Sequence, residues 1–504
     1  MSNAQQAYDE LIRLNKEAAV LYSVDSLLGW DERTQMPRTG TAGRAEMGSL
    51  VARLQHEKFT SPRIGELLGT VESSDMLKDP ICDAAVNVRD IRREYDRARK
   101  LPASLVEEMS RTRSLAEDVW IDARKNSDFK SFQPWLEKTL KLKQQAAECY
   151  GYKDHIYDAL VEDYEPGATT REIKAVFDSL RPKLAELIKR VVDSPKKAPV
   201  GILQRKYPLE AQQKICRGAA SVIGFDFNAG RLDVSVHPFC AGIGPGDTRM
   251  TTRYREDDLT GALFGVMHES GHGMYDQGLD AKHWGTPRGS YISLGIHESQ
   301  SRMWENLVGR SRAFWKFFMP SMRGAFADTL KDVSDDDFVF AANSIQPSLI
   351  RTESDEATYN LHIMLRFEME QRMLAGELAP KDVPGAWNER MKKDLGVTVP
   401  DDAHGCLQDT HWASGLLGYF PTYALGNLYA AQFFEQARKE LGDLDAMFAR
   451  GEFKPLLSWL QEKIHRPGRT YTAPQLVKKI TGSDLSPDPL MRHLSKKAKE
   501  FYGV

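Results

Sequence analysis

Leu263-Phe264-Gly265-Val266-Met267-His268-Glu269-Ser270-Gly271-His272 is the stretch on which the reading of this chain turns. An apolar run leads straight into a His-Glu-x-x-His pattern. On a helix of 3.6 residues per turn, positions i and i+4 differ by only about 40° in direction, so both imidazoles leave the same face one turn apart. That is how a tetrahedral metal takes two ligands from one helix. Glu269 projects to the side, placed to take a proton from a water that such a metal binds. The competing reading is a solvated helix face that happens to carry two histidines. In a chain with 12 histidines, a chance match is expected only about 0.02 times. The apolar lead-in also points to a buried helix, where an unpaired histidine pair is costly.

Two histidines leave a catalytic zinc one ligand short. The metzincin spacing would place a third histidine six residues after His272, but that position is Gly278. The gluzincin alternative puts a glutamate on a second helix. Ser293-Leu-Gly-Ile-His297-Glu298-Ser299-Gln300-Ser-Arg302-Met-Trp304 reads as that helix, with Glu298 26 residues beyond His272. A carboxylate with two neutral imidazoles leaves the site at +1 and keeps a fourth position open. Two alternatives compete: Glu298 pairing with Arg302 at i+4, and His297 as the ligand. Adjacent helical residues diverge by about 100°, so at most one of His297 and Glu298 faces the metal.

Further out, most of the chain carries helical periodicity. Leu11, Leu14, Ala18, Leu21 and Val24 recur at spacings of three and four within residues 8–29, an amphipathic stripe. Similar stripes run through 82–100, 103–125, 132–150, 170–192, 300–318, 356–376 and 424–449. Breaks are expected at 193–208, at Gly285-Thr286-Pro287-Arg288-Gly289 and at Ser486-Pro487-Asp488-Pro489. One region differs. Residues 231–237 and 247–253 alternate apolar and polar around the glycine-rich Gly242-Ile-Gly-Pro-Gly246, which predicts two short antiparallel strands joined by a turn. The fold class is therefore mostly α with a small antiparallel sheet just before the metal motif, read as one catalytic domain over 1–504.

Composition excludes several function classes. The 504 residues hold 68 Lys+Arg against 71 Asp+Glu, a net charge of −3, which argues against nucleic-acid binding. The run Arg89-Asp-Ile-Arg-Arg-Glu-Tyr-Asp-Arg-Ala-Arg-Lys100 interleaves acids with its bases and reads as a solvated helix face. No apolar run approaches the ~18–20 residues that span a bilayer, so no membrane partner is expected. The opening Met1-Ser2-Asn3-Ala4-Gln5-Gln6 has neither a basic nor an apolar leader segment. Five scattered cysteines, with no Cys-x-x-Cys pair, read as reduced thiols. A cytoplasmic protein is the expectation.

With these residues in place, the chain resembles the carboxypeptidase Taq family of thermostable-type zinc metallocarboxypeptidases, over essentially its whole length. The motifs appear in order: His237-Pro238-Phe239, Asp247-x-Arg249-x-Thr251, His268-Glu269-x-x-His272, His297-Glu298-Ser299-Gln300, Ile350-Arg351-x-x-Ser354-Asp355 and Gly405-x-x-Gln408-Asp409-x-His411-Trp412. Ser354 departs from the pattern, since many relatives carry Ala there. The resemblance implies a single helical fold with a long deep groove, a homodimer, and release of C-terminal amino acids one at a time, with broad specificity, from peptides bearing a free carboxylate. It implies one zinc (Zn2+) per chain on His268, His272 and Glu298, with cobalt (Co2+) as a substitute.

An exopeptidase of this kind also needs a cation that holds the terminal carboxylate. The planar fork of arginine meets a carboxylate bidentately, and the motif points to Arg351; Glu353, Asp355 and Glu356 are the neighbours that compete to neutralise it. His411 and Tyr423 are candidate donors to the tetrahedral oxyanion, against a loop cap and a half-buried helix residue. His237 and Arg249 sit on strands that could align a peptide, or simply end a strand and brace a turn. Trp30 is read as the end of the first helix packing on the core. Two other classes stay open: a helical gluzincin oligopeptidase or dipeptidase that cuts internal bonds, and a non-catalytic binding protein descended from a peptidase.

Overall fold

The computed structural model describes residues 3–504 and is mostly α-helical with one small sheet, as expected. It begins with α1 (Asn3–Thr34), α2 (Thr41–Phe59), α3 (Pro62–Glu72) and α4 (Asp83–Lys100). The 8–29 stripe is thus part of one 32-residue helix. Ala7 and Leu11 of α1 join Ile64, Leu67, Leu68 and Val71 of α3 and Val88, Ile91 and Tyr95 of α4 in a small core of their own. α2 buries no residue and lies along α1. The basic face of α4 is paired out, Arg92 with Glu72 and Arg97 with Asp163.

Then come α5 (Ala103–Asn126), α6 (Phe129–Tyr150), the single turn α7 (Asp158–Val161), α8 (Thr170–Asp193) and α9 (Leu209–Ile223). Thr169-x-x-Glu172 closes the start of α8 as a reciprocal capping box. From α5 onward one large apolar core runs to the C-terminal helix, with a small satellite of Leu105, Leu142 and Ala146 between α5 and α6. The expected break at 193–208 holds only a short 3-10 turn, Val200–Gln204.

The sheet corrects the sequence reading. It has three strands, β1 (Gly230–Val234), β2 (Cys240–Gly244) and β3 (Asp247–Thr252), in the order β1-β3-β2. The two stretches expected to form an antiparallel hairpin are neighbours but run parallel, with Arg231 opposite Arg249 and Leu232 opposite Met250. The antiparallel partner of β3 is β2, most of which had been read as turn. Its glycines hide the strand signal. A side chain at Gly242 would come within 2.8 Å of the Asp276 carboxylate, so this glycine marks close packing of strand on helix. The true hairpin turn is Pro245-Gly246, where Gly246 adopts φ +79°.

The rest of the body is α10 (Leu259–Gly278), α11 (Leu294–Arg302), α12 (Arg312–Ala325), α13 (Ala327–Leu330), α14 (Asp335–Ala342), α15 (Thr358–Leu374), α16 (Val383–Leu395) and α17 (Pro421–Leu441). A tail of α18 (Leu444–Ala449), α19 (Lys454–Leu460), α20 (Ala473–Thr481) and α21 (Asp488–Tyr502) wraps this core. Two long stripes prove to be pairs of helices. The 300–318 stripe passes from α11 through a π-turn at Met303–Val308 to α12, where Ser311 caps the new start by accepting from the Phe314 N–H. The 424–449 stripe breaks at Gly442, φ +86°, after which Asp443 caps α18. No helix among the described residues is long and apolar enough to cross a membrane, and all five cysteines are free.

Candidate metal centre and active site

α10 starts at Asp258, whose carboxylate accepts from the Gly261 N–H. Two turns on, it presents His268 and His272, with ring centroids 4.9 Å apart. α11 crosses beneath and supplies Glu298, whose Oε2 lies 3.6 Å from His268 Nε2 and 3.4 Å from His272 Nε2. Zinc with arms of about 2.0–2.1 Å has tetrahedral edges of roughly 3.3–3.5 Å. The carboxylate oxygen thus stands about one such edge from each imidazole nitrogen, and the three donor atoms all lie within 4.8 Å of one another. The two histidines keep side-chain exposures of 19% and 14%, so the face is open to a ligand.

Glycines permit this convergence. A side chain at Gly271 would meet the Gln300 carbonyl at 2.5 Å, and one at Gly426 of α17 would meet Glu298 Cγ at 2.5 Å. Gly278, the position a metzincin would give to its third histidine, has no room either: a Cβ there falls 2.3 Å from His465 Nδ1. His297 is not among these converging donors. Its ring stacks on His272 at 4.4 Å and its Nε2 faces Asp276 at 3.3 Å. The Glu298–Arg302 pair expected from i+4 spacing does form, at 2.7 Å, but through Oε1, which leaves Oε2 for the histidines.

Two supporting acids were not singled out from the sequence. Glu305, on the π-turn, lies 2.9 Å from His268 Nδ1 and is itself paired with Arg302 and Arg310. With Nε2 reserved for a metal, Nδ1 carries the proton and donates it to Glu305, fixing tautomer and ring orientation. Glu305 follows Glu298 by seven residues, the same face two turns on, so spacing could have found it. Glu165 caps α11: it accepts from the Gly295 N–H at 3.0 Å, Ser293 Oγ at 3.0 Å and Tyr429 OH at 2.9 Å. Nothing local in the sequence links it to that helix.

The charges are uneven. Burial works against a charged His268, but the carboxylates of Glu298, Glu305 and Glu269 outweigh it and lift its pKa to about 8. Burial, reinforced by His297, pulls His272 down to about 4. Burial also raises Glu269 to about 7. Among the described residues no hydrogen bond or ion pair engages the Glu269 carboxylate, which leaves it free to exchange a proton.

Arg351, His411 and Tyr423 come together in one cluster. Arg351, 6% exposed, donates from Nε and Nη2 to Asp409 Oδ1 at 3.1 and 2.7 Å and from Nη1 to Tyr359 OH at 2.8 Å. None of its expected sequence neighbours neutralises it. Asp355 instead accepts from the N–H groups of Gln346, Ala357 and Thr358, and Glu356 pairs with Lys497 and His493. Asp409 is shared with Arg366, whose Nε reaches Oδ2 at 2.7 Å. Two guanidiniums on one carboxylate leave a net charge of +1. Three of the five Arg351 N–H groups are engaged, so one remains on each terminal nitrogen. His411 Nε2 lies 3.2 Å from Tyr423 OH, and burial lowers its pKa to about 4, so the ring is neutral near pH 7.

His237 and Arg249 stand apart from this cluster. His237 is exposed on the segment between β1 and β2. Arg249 is held bidentately by Asp247, both contacts at 2.8 Å, and stacks over Trp30 at 4.3 Å. Trp30, near the end of α1, is 5% exposed as a packing residue should be, and is covered by Arg231 and Arg249 of the sheet.

A family model described as carboxypeptidase Taq (M32) metallopeptidase matches residues 10–498. Thermostable carboxypeptidase 1 of Thermus thermophilus is 47% identical over 99% of each chain. Carboxypeptidase 1 of Bacillus subtilis is 38% identical over 95% of each. The crystal structure of an M32 carboxypeptidase from Deinococcus radiodurans R1 superposes with a TM-score of 0.95 at 38% identity, covering 99% of this chain and 100% of that one.

Two outcomes are expected of the metal centre. Below about pH 8 the metal-free His268 holds a proton that an incoming ion must displace. The logarithm of zinc affinity should therefore rise by about one per pH unit towards pH 8 and flatten above it, as read by chelator-buffered titration; a flat profile from pH 5.5 to 9 contradicts the assignment. Replacing Glu305 by Ala should weaken zinc binding by roughly 10–100-fold through loss of the His268 anchor. Unchanged affinity in the same titration would remove Glu305 from the site.

Proposed function

This chain belongs to the carboxypeptidase Taq (M32) metallopeptidase family, and from that premise we propose how its residues divide the work. The protein is a metallocarboxypeptidase, a peptide hydrolase. The single observation that carries the assignment of residues is the convergence of His268, His272 and Glu298 within 4.8 Å, the carboxylate about one tetrahedral edge from each imidazole, with an unengaged carboxylate, Glu269, one residue along the same helix.

The ion is zinc: two imidazole nitrogens and one carboxylate oxygen, with a face left open, suit a catalytic zinc, and cobalt accepts the same donors. When bound, it supplies a Lewis acid for the scissile carbonyl and brings water into its reactive range near neutral pH. Glu269 takes the proton from the attacking water and returns it to the departing amine, a task for which a pKa near 7 suits it. Arg351 uses its two remaining N–H groups to grip the terminal carboxylate, which makes the enzyme an exopeptidase. The surplus positive charge of the Arg351–Asp409–Arg366 cluster supports that role. Tyr423, hydrogen-bonded to neutral His411, donates to the oxyanion. His237 and Arg249 bind peptide further from the scissile bond, a reading that rests on their motifs.

The working unit is one catalytic domain spanning the chain, paired as a homodimer. Support for the pairing comes from α1 and α2, which carry adjacent exposed apolar stripes, Val20, Val24 and Leu27 beside Met47, Leu50 and Leu54. A second copy would cover such a surface. Five free thiols favour a reducing, cytoplasmic setting.

The activity is tested on one ten-residue peptide with its C-terminus free or amidated, followed by mass spectrometry. The free form should yield a ladder shortening from its C-terminus, the amide and a chelated control should not, and Glu269→Gln should slow the ladder by on the order of 10²–10⁴-fold while retaining zinc. Internal fragments from both peptides would make the enzyme an oligopeptidase and leave Arg351 a structural residue. For the dimer, sedimentation equilibrium should find two chains in the wild type and one in a Leu50→Glu/Leu54→Glu variant; a wild-type monomer, or a variant that still pairs, refutes that interface.

A further inference from the structure

Tyr359 opens α15 and is 5% exposed. Its two ends do different things. The ring face lies 4.3 Å from the guanidinium carbon of Arg302, the residue that holds Glu298 Oε1 at 2.7 Å. The hydroxyl accepts from Arg351 Nη1 at 2.8 Å. A continuous run of contacts therefore leads from the metal ligand to the clamp: Glu298, Arg302, Tyr359, Arg351.

The middle of that run is rigid. Rotation about the phenol C–O bond moves only the hydrogen, so the hydroxyl oxygen keeps a fixed place relative to the ring face. Its backbone is held as well. Asp355 accepts from the N–H groups of Ala357 and Thr358 and from Thr358 Oγ1, and Asn360 accepts from Asn427 of α17 at 2.9 Å. An enzyme that removes a single terminal residue must keep its carboxylate-binding cation one residue from its metal, and small misplacements at such distances cost orders of magnitude.

We propose that Tyr359 is a positioning residue that sets the distance between the metal centre and the terminal-carboxylate clamp, its ring bracing Arg302 and its hydroxyl aiming Arg351. This rests on Arg351 being the clamp, as assigned above. It predicts that the two ends of Tyr359 can be separated. Tyr359→Phe keeps the ring beside Arg302 and Arg351 and removes only the hydrogen bond to Arg351; Tyr359→Leu removes the ring contacts as well.

The experiment uses full-length protein carrying Glu269→Gln to silence turnover, loaded with zinc. Calorimetry measures binding of one N-acetylated tripeptide as free acid and as C-terminal amide, and chelator competition measures zinc affinity. With Tyr359→Phe, the free acid should bind about tenfold more weakly, the amide unchanged, and zinc affinity should stay within about twofold of the parent. With Tyr359→Leu, zinc affinity should also fall about tenfold. Arg351→Ala serves as the reference. If it abolishes the preference for acid over amide while Tyr359→Phe leaves that preference intact, the positioning role is wrong and the clamp stands. If Arg351→Ala itself leaves the preference intact, the clamp assignment is wrong. Equal losses of acid binding, amide binding and zinc affinity in Tyr359→Phe, which keeps the buried ring, would mark a general structural role and overturn the proposal.

Discussion

Glu298 must satisfy two demands with one carboxylate, and the architecture around the site follows from how it does so. One oxygen faces His268 and His272, while the other is tied to Arg302. A buried carboxylate is tolerable only when paired, and here its partners pull it to opposite sides without exchanging places. The arrangement requires three helices to meet at closer than ordinary spacing. α10 presses on α11 at Gly271, and α17 presses on Glu298 at Gly426. Either glycine replaced by any larger residue would separate the helices by the width of a methyl group, a large fraction of a metal–ligand bond.

Two further acids hold this convergence in place by a different device. Glu165 gathers Ser293, Gly295 and Tyr429 at the start of the ligand helix. Glu370 gathers Tyr157, Trp412 and Gly418, and so fixes the segment that bears Asp409 and His411. Neither has a cation as a hydrogen-bonding partner, and burial lifts both to about 7 despite three donors each. Both therefore act as hubs of neutral hydrogen bonds that knit distant segments together, distinct from the charged pairs that surround the metal. Such fully satisfied networks specify one packing among many.

How much of this was legible depends on sequence distance. The histidine pair was readable because its geometry is set by one helical turn. The approach of Glu298 to the two histidines was readable from the chemistry of an incomplete ligand set, and its second contact, Arg302, from i+4 spacing. Glu305 was within reach of the same periodicity. Asp409 as the partner of Arg351 was not, because 58 residues and two helices separate them; the acids beside Arg351 in sequence were drawn instead into backbone capping and into the C-terminal helix. β2 was hidden because its glycines read as turn when they in fact mark close approach to α10. The parallel pairing of β1 with β3 could not be read from alternation at all, since alternation fixes which face is buried and says nothing of direction.

Asp409 carries two arginines where one would balance it. Arg366, wholly buried, completes the pair by itself and also holds the His362 carbonyl and the Gln408 side chain. The charge of Arg351 is therefore surplus to folding. A lineage that replaced it with a neutral residue would leave behind a closed ion pair, with no bare acid in the core. The clamp proposed for Arg351 is in that sense separable from the scaffold, a part that mutation can exchange while the rest of the molecule endures.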